Sequence, residues 1–278
     1  MKNDVKLTPI QILVHGIDIN MKSLESQNDA LGLWAKQLRD FGVEFEICSS
    51  LTDEVSYYLD FNGEQLSLID LKKSSKLTLD WAKELKSHLK KRYAVTKEPL
   101  FRALKLKGDD LAHNQIIDAT MGTGKDACLL LSFKCNLICF ERNPYVFALG
   151  LWAYLQACAS DDEMIAQAFK NQMRLEYGQA YSSEIPAGYD RCFYDPMYES
   201  GKSKTKSALS RKEMETFKEL VGSDQDQATI LSELCKKFKL VCFKRPLKAP
   251  NLELPDDSRC QKVVYTGKST RYERYFIP

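Results

Sequence analysis

The sequence predicts an α/β fold: a doubly wound, mostly parallel sheet preceded by a small N-terminal α+β domain. Three observations predict it. From about residue 98, strand-like apolar runs alternate with helical ones. A glycine turn, "DATMGTGKDA" (118–127), joins one such strand to the helix that follows. Before residue 95 the pattern differs, with several short strands and few helices between them. The expected division is therefore 1–95 for the N-terminal domain and 96–278 for the larger one.

In the first part "IQILVHG", "VEFEICSS", "VSYYLDFNG" and "EQLSLIDL" read as short strands separated by turn residues. "LGLWAKQLRDFG" has apolar spacing of three and four and reads as an amphipathic helix. "LTLDWAKELKSHLKKRY" (77–93) reads as a second helix leading into the larger domain. There "PLFRALKLKG" is a short helix, followed by strand "QIIDAT", helix "DACLLLSFK" and strand "NLICFER". Asn143-Pro144 opens a long apolar helix, since proline is tolerated at the first helical position. A helix near "DDEMIAQAFKN", strands "MRLEYGQ" and "RCFYDP", helices "KSALSRKEMETFKELVG" and "DQATILSELCKKF" and strand "KLVCFKRP" continue the alternation. "KVVYTG" and "RYERYFIP" close the chain as a hairpin.

Bulk properties exclude several classes. Of 278 residues, 44% are apolar and 28% charged, which is ordinary globular composition. No apolar run approaches the roughly 20 residues that span a bilayer, and the N-terminus lacks a signal-peptide pattern. Nine cysteines occur without a CxxC pair, so core thiols are expected rather than a metal site. A cytoplasmic protein is the expectation. The net charge of +2 decides nothing about partners, but "HLKKR", "SGKSKTKSALSRK" and "FKRPLK" are locally basic.

The glycine turn has three candidate ligands. A phosphate cradle needs G-x-x-x-x-G-K-[ST]; here Asp126 follows Lys125 and Ala119 stands where the first glycine belongs. Gly122-x-Gly124-x-x-Ala127 does match a dinucleotide fingerprint. A pyrophosphate, however, wants bare N–H groups, and Asp118 and Asp126 bracket this turn. Carboxylates there suit a ligand with an ammonium or sulfonium centre, and S-adenosyl-L-methionine carries both. Its carboxylate could use backbone N–H groups or Lys125. Glu141 ends the second strand, and 141 − 122 = 19 is close to the spacing of about 20 expected for a ribose-binding acid.

On the acceptor side, "YDPMYE" (194–199) leaves a strand end. Methylating an exocyclic amine requires its lone pair in line with the methyl carbon and its N–H protons held by acceptors. Asp195 offers a carboxylate, and Tyr198 a ring on which a base could stack. Such a site works by alignment more than by strong base.

The segments "IIDATMGTGKDA", "ERNP", "DPMY", "KSALSRKEM" and "FKRP" occur in an order and spacing that resemble the ribosomal small-subunit methyltransferase J family, over roughly residues 100–278. The resemblance implies a Rossmann-like class I S-adenosylmethionine-dependent methyltransferase fold. It also implies methylation of the exocyclic N2 of a guanosine in 16S rRNA, with rRNA or the 30S subunit as partner. It implies that Lys125 and Asp126 contact the donor, and that Glu141 and Arg142 bind its ribose and surroundings. Asp195 would lie where donor and base meet. A further donor contact falls after "MRLEYGQ", at Gly178, Gln179 and Ala180, where the family has small hydroxyl residues. The family also has arginine at the position of Lys125 and a Gly/Arg-rich segment where "HLKKRYAVTKEPLFRAL" stands. The basic loop 200–212 would close over RNA, with Lys244 and Arg245 nearby as phosphate contacts. Two rivals remain open: a methyltransferase of the same fold acting on another amine, and an inactive RNA-binding module. A nicotinamide-dependent oxidoreductase is disfavoured by the carboxylates at the turn.

Overall fold

The computed structural model describes residues 9–14, 29–52, 55–91, 97–106, 114–197, 211–221, 227–252 and 260–276. The first five strands are β1 (Ile10–Val14), β2 (Phe45–Cys48), β3 (Tyr57–Phe61), β4 (Leu66–Asp70) and β5 (Ser75–Leu77). They form one sheet in the order β2-β1-β3-β4-β5. Helix α1 (Ala30–Asp40) lies between β1 and β2 in the chain. The Asp29 carboxylate caps its start by accepting the Gly32 N–H at 2.7 Å.

Two local expectations shift here. "SKL" (75–77) is a strand, β5, which the sequence reading did not find; a helix was expected from Leu77. Helix α2 (Trp81–Lys90) instead starts after Asp80, whose carboxylate accepts the Lys83 N–H at 2.9 Å. The short helix α3 (Pro99–Ala103) is likewise tighter than its sequence suggested.

The second sheet takes β6 (Gln115–Asp118), β7 (Asn136–Glu141), β8 (Met173–Tyr177), β9 (Arg191–Tyr194), β10 (Leu240–Pro246), β11 (Gln261–Thr266) and β12 (Thr270–Phe276). Its order is β11-β12-β10-β9-β6-β7-β8. Strands β6 to β10 run parallel, and only the closing hairpin is antiparallel. The chain thus winds outward from β6 in one direction through β7 and β8, then returns to wind the other way through β9 and β10. Ligands of such sheets sit outside the carboxyl ends of the strands at this switch point. The connecting helices are α4 (Lys125–Leu131), α5 (Pro144–Cys158), α6 (Glu163–Gln172), α7 (Arg211–Val221) and α8 (Gln227–Lys237).

Helix α5 explains how the two sheets meet. Every residue from Val146 to Ala153 is buried, which an amphipathic surface helix could not sustain. One side packs on β7 and β8, and the other on β3, β4 and α1. The Trp34 indole N–H donates to the Ala148 carbonyl at 2.8 Å, and its ring meets Trp152 edge-on at 6.2 Å. Phe61 meets the same Trp152 at 5.3 Å. A single buried cluster therefore runs from Ile10 through Trp34 and Trp152 to Cys242.

A second tie lies at α7. The Thr216 hydroxyl donates to Asp70 Oδ2 at 2.9 Å and lies 2.5 Å from the Ser75 hydroxyl. Thr216 and Asp70 are buried, as is Ser75, so the N-terminal sheet grips this helix through satisfied polar groups.

Replacing Trp34 with alanine would remove a fully buried ring from the junction. The expected cost is about 3–5 kcal/mol, read as a lower midpoint in urea unfolding.

Candidate active site

Four strand ends converge on one open, mostly apolar cavity, at the strand edge where ligands of such sheets sit. Ala119, Thr120 and Gly122 follow β6; Glu141 and Arg142 end β7; Gly178, Gln179 and Ala180 follow β8; Tyr194 and Asp195 end β9. Tyr181, Met197, Phe217, Val221, Ile230 and Leu234 supply the mostly apolar remainder.

The turn after β6 is held by its own backbone. The Ala119 N–H donates to the Phe193 carbonyl, Met121 to Phe140 and Gly124 to Met121, each at 2.8–2.9 Å. The Thr120 N–H donates to Asp118 Oδ1 and the Gly122 N–H to Glu141 Oε2, both at 3.0 Å. These bonds fix the turn itself, while the first-turn N–H groups of α4 have no side-chain cap; what disfavours a pyrophosphate here is the set of carboxylates around the turn.

Glu141 is the hinge of this arrangement. Its other oxygen accepts the Asn143 N–H at 2.8 Å, at the residue that caps α5. Burial raises its pKa, opposed chiefly by those N–H groups and by Arg142. A carboxylate has about four acceptor positions; with backbone N–H groups of Gly122, Asn143 and Arg142 on it, one is left for a ligand hydroxyl.

Gln179 presents an amide oxygen that is buried and has no hydrogen-bond partner among the described residues. In this cavity such an oxygen suits an N–H donor from the ligand, as on the amino edge of adenine.

Gly124 is required for a steric reason. It has φ +76°, and a Cβ there would come within 2.4 Å of the Trp81 ring. Trp81 in turn donates its indole N–H to the Thr123 carbonyl at 2.9 Å, so α2 braces the turn from the N-terminal side.

The expected carboxylates are present but play different electrostatic parts. Asp118 is 1% exposed and does not line the cavity. Burial pushes its pKa up to about 8, with Asp126, Asp195 and Glu141 adding to the rise. Asp126 is bound to the Lys244 ammonium at 2.5 Å, and so is Asp195 at 2.8 Å. The bare pair of anions expected at the turn is therefore one buried acid and one ion-paired carboxylate. Lys125 and Asp126, like Gly124, stand at the start of α4 and do not line the cavity.

Two basic residues expected at RNA are also reassigned. Lys244 is occupied by the two aspartates. Arg245 is 3% exposed, 3.5 Å from Glu273 and over the Phe243 ring. Both serve the interior. His88 of the "HLKKR" run is buried beside Glu84, at 3.1 Å, while Lys90 and Lys91 are exposed. Tyr198, Arg92 and the basic loop through residue 210 lie outside the described residues.

Sequence reasoning missed Phe217 and Val221. They are four apart on α7, a spacing that reads as ordinary core, and only the docking of α7 turns them toward the cavity. Gln179 was found by position, its unpaired oxygen only by structure.

A sheet of this order with a cavity at its switch point, lined by an acid at the end of the second strand, defines a class I S-adenosylmethionine-dependent methyltransferase. A family model described as SAM-dependent methyltransferase matches residues 43–277. The solved structure of a SAM-dependent methyltransferase from Neisseria gonorrhoeae superposes with a TM-score of 0.62 at 22% identity, covering 96% of each chain, and supports the fold. The ribosomal RNA small subunit methyltransferase J of Hahella chejuensis is 30% identical over 241 residues, 84% of this chain and 86% of that one. The protein of the same name from Coxiella burnetii (strain Dugway 5J108-111) is 33% identical over 242 residues, 84% of this chain and 89% of that one. The chain belongs to the ribosomal RNA small subunit methyltransferase J family, and its cofactor is S-adenosyl-L-methionine.

Gly124→Ala should be costly on two counts, positive φ and the Trp81 contact. Lower thermal stability and weakened S-adenosylhomocysteine binding in calorimetry are expected together. Asp118 gives a pH test. Its folded pKa lies above its unfolded value near 3.9, so the native state binds the extra proton between about pH 4 and 8. Stability carried by that proton is complete below the unfolded pKa and is lost as pH rises through the folded one. Asp118→Asn should flatten this decline, so its stability gains on the wild type toward pH 8 in urea titrations.

Proposed function

We propose that the protein methylates the exocyclic N2 of a guanosine in 16S rRNA, acting in the cytoplasm on the rRNA or the 30S subunit. The observation that carries the reading is an acceptor-only carboxylate, Asp195, in the wall of the cavity. The family relatives' name, ribosomal RNA small subunit methyltransferase, supports RNA as the substrate class. On its Watson–Crick edge guanine presents N1–H and N2–H donors side by side, which a carboxylate can accept together. Phosphate contacts give affinity without choice of sequence, so selection rests on RNA shape and an exposed base.

The donor supplies a methyl group made electrophilic by its sulfonium. Glu141 would accept a ribose hydroxyl with its remaining lone pair. Gln179, flanked by Gly178 and Ala180, accepts the adenine amino group, while Phe217, Val221 and Met197 exclude water from the ring. Arg142, which lines the cavity, and Lys125, which directly follows the glycine turn, suit the donor's carboxylate. Gly122 lines the cavity, whereas Asp118, Gly124 and Asp126 shape the turn without touching the ligand. Asp195 holds the amine so that its lone pair points at the methyl carbon, and Tyr198 stacks on the base. With the donor bound, methyl transfer to the amine would leave sulfur with the C–S electron pair, and Asp195 would take the surplus N–H proton and pass it to water. The region 1–95 is a supporting domain that braces the turn through Trp81 and α7 through Thr216.

Labelled S-adenosylmethionine offered with 30S subunits lacking the modification, naked 16S rRNA, DNA and protein tests the assignment. Label on N2 of one guanosine in 30S or 16S rRNA is expected; label confined to DNA or protein would refute it. Asp195→Asn should cut transfer by about 10²-fold or more while RNA affinity in filter binding stays near wild type.

A further inference from the structure

The chemistry assigned above needs Asp195 ionised and fixed, yet its burial opposes the charge. Burial pushes its carboxyl up from the usual range, and the negative charge of Asp126 adds to that push. The counterweight is Lys244. Strand β10 runs parallel to β9, with Phe243 beside Tyr194, so the next residue along β10 comes up beside Asp195. Its ammonium sits 2.8 Å from Asp195 Oδ2 and 2.5 Å from Asp126 Oδ2. Asp195 lines the cavity, whereas Lys244 and Asp126 do not. The Asp195 N–H donates to the Thr120 hydroxyl at 2.7 Å, which fixes the backbone as well. Among the described residues Asp195 Oδ1 makes no hydrogen bond that competes with an incoming amine.

We propose that Lys244 is a positioning residue for methyl transfer: it grips Asp195 Oδ2 from outside the cavity, keeps the carboxylate charged and leaves Oδ1 to receive the acceptor's N–H. Asp126 is the second anchor of the ammonium and sets how much of its charge Asp195 receives. The inference rests on the role given to Asp195 under the proposed function. The other groups facing this cluster are Asp118 below the turn, Cys242 on β10 and Tyr272, which pairs with Lys244 across β10 and β12. Burial raises the Tyr272 phenol and the Cys242 thiol far above neutrality, so both stay uncharged in the working range. Asp118 titrates within it, so its signal is followed separately.

The test has two readouts: the Asp195 carboxyl titration, followed by carbon-13 NMR on the donor-free full-length protein, and the pH dependence of kcat/KM. The signal is assigned by its loss in Asp195→Asn. Lys244→Met should move the Asp195 midpoint up by about one pH unit or more, with the acid limb of the rate profile following. Asp126→Asn should move both the other way, because it removes a neighbouring negative charge and leaves the ammonium to Asp195. That variant keeps a polar partner for Lys244, so it serves should Lys244→Met fail to fold. Unmoved midpoints, in a protein whose Asp195→Asn variant has lost transfer, would overturn the role of Lys244. Transfer that survives in Asp195→Asn would instead sink the role of Asp195, and the inference with it.

Discussion

One buried carboxylate holds the architecture of the site together. Glu141 accepts an N–H from Gly122 after β6 and another from Asn143 at the head of α5. Two loops from adjacent strands are thereby locked to each other at the floor of the cavity. Because the acid is buried, leaving either N–H unpaired would carry the full desolvation cost of that group. A residue suited to a ligand's hydroxyl is thus also the clasp that shapes the pocket around it.

The clasp extends into the rest of the molecule through α5. Asn143 caps this helix with its side chain, which also donates to the Leu220 carbonyl of α7 at 3.1 Å. The helix then passes between the two sheets, buried on every side from Val146 to Ala153. The N-terminal sheet therefore does two jobs. It covers the outer side of α5, and through Asp70 and Ser75 it fixes α7, whose Phe217 and Val221 wall the cavity. Trp81 adds a third contact, against Gly124 itself.

The charges around the turn are arranged by pairing and burial rather than left to act on a ligand directly. Asp118 is deep enough to hold a proton near neutrality, and Asp126 shares Lys244 with Asp195. Asp126, Lys244 and Asp195 are half-buried, so removing one partner leaves the others less well paired but still partly in reach of water.

The sequence by itself determined the order of strands and helices apart from β5, the glycine turn, the acid at the end of β7 and the aspartate after β9. Period, punctuation and spacing are local properties of the chain, so they survive without any knowledge of what packs on what. The family resemblance also implied the three residues after β8, and the structure brings their loop to the same edge of the sheet as the others. The tertiary structure alone decided what those residues do there. Lys244 looked like a surface cation in a basic run, and only the parallel pairing of β9 with β10 sets it beside Asp195. Thr216 and Asp70 are 146 residues apart, and Trp81 and Thr123 are 42 apart. Contacts across such separations leave no periodic trace in the chain, since they depend on how α2 and α7 dock. The turn's carboxylates read as free anions for the same reason: charge is written in the sequence, but its partners and its burial are set by the fold.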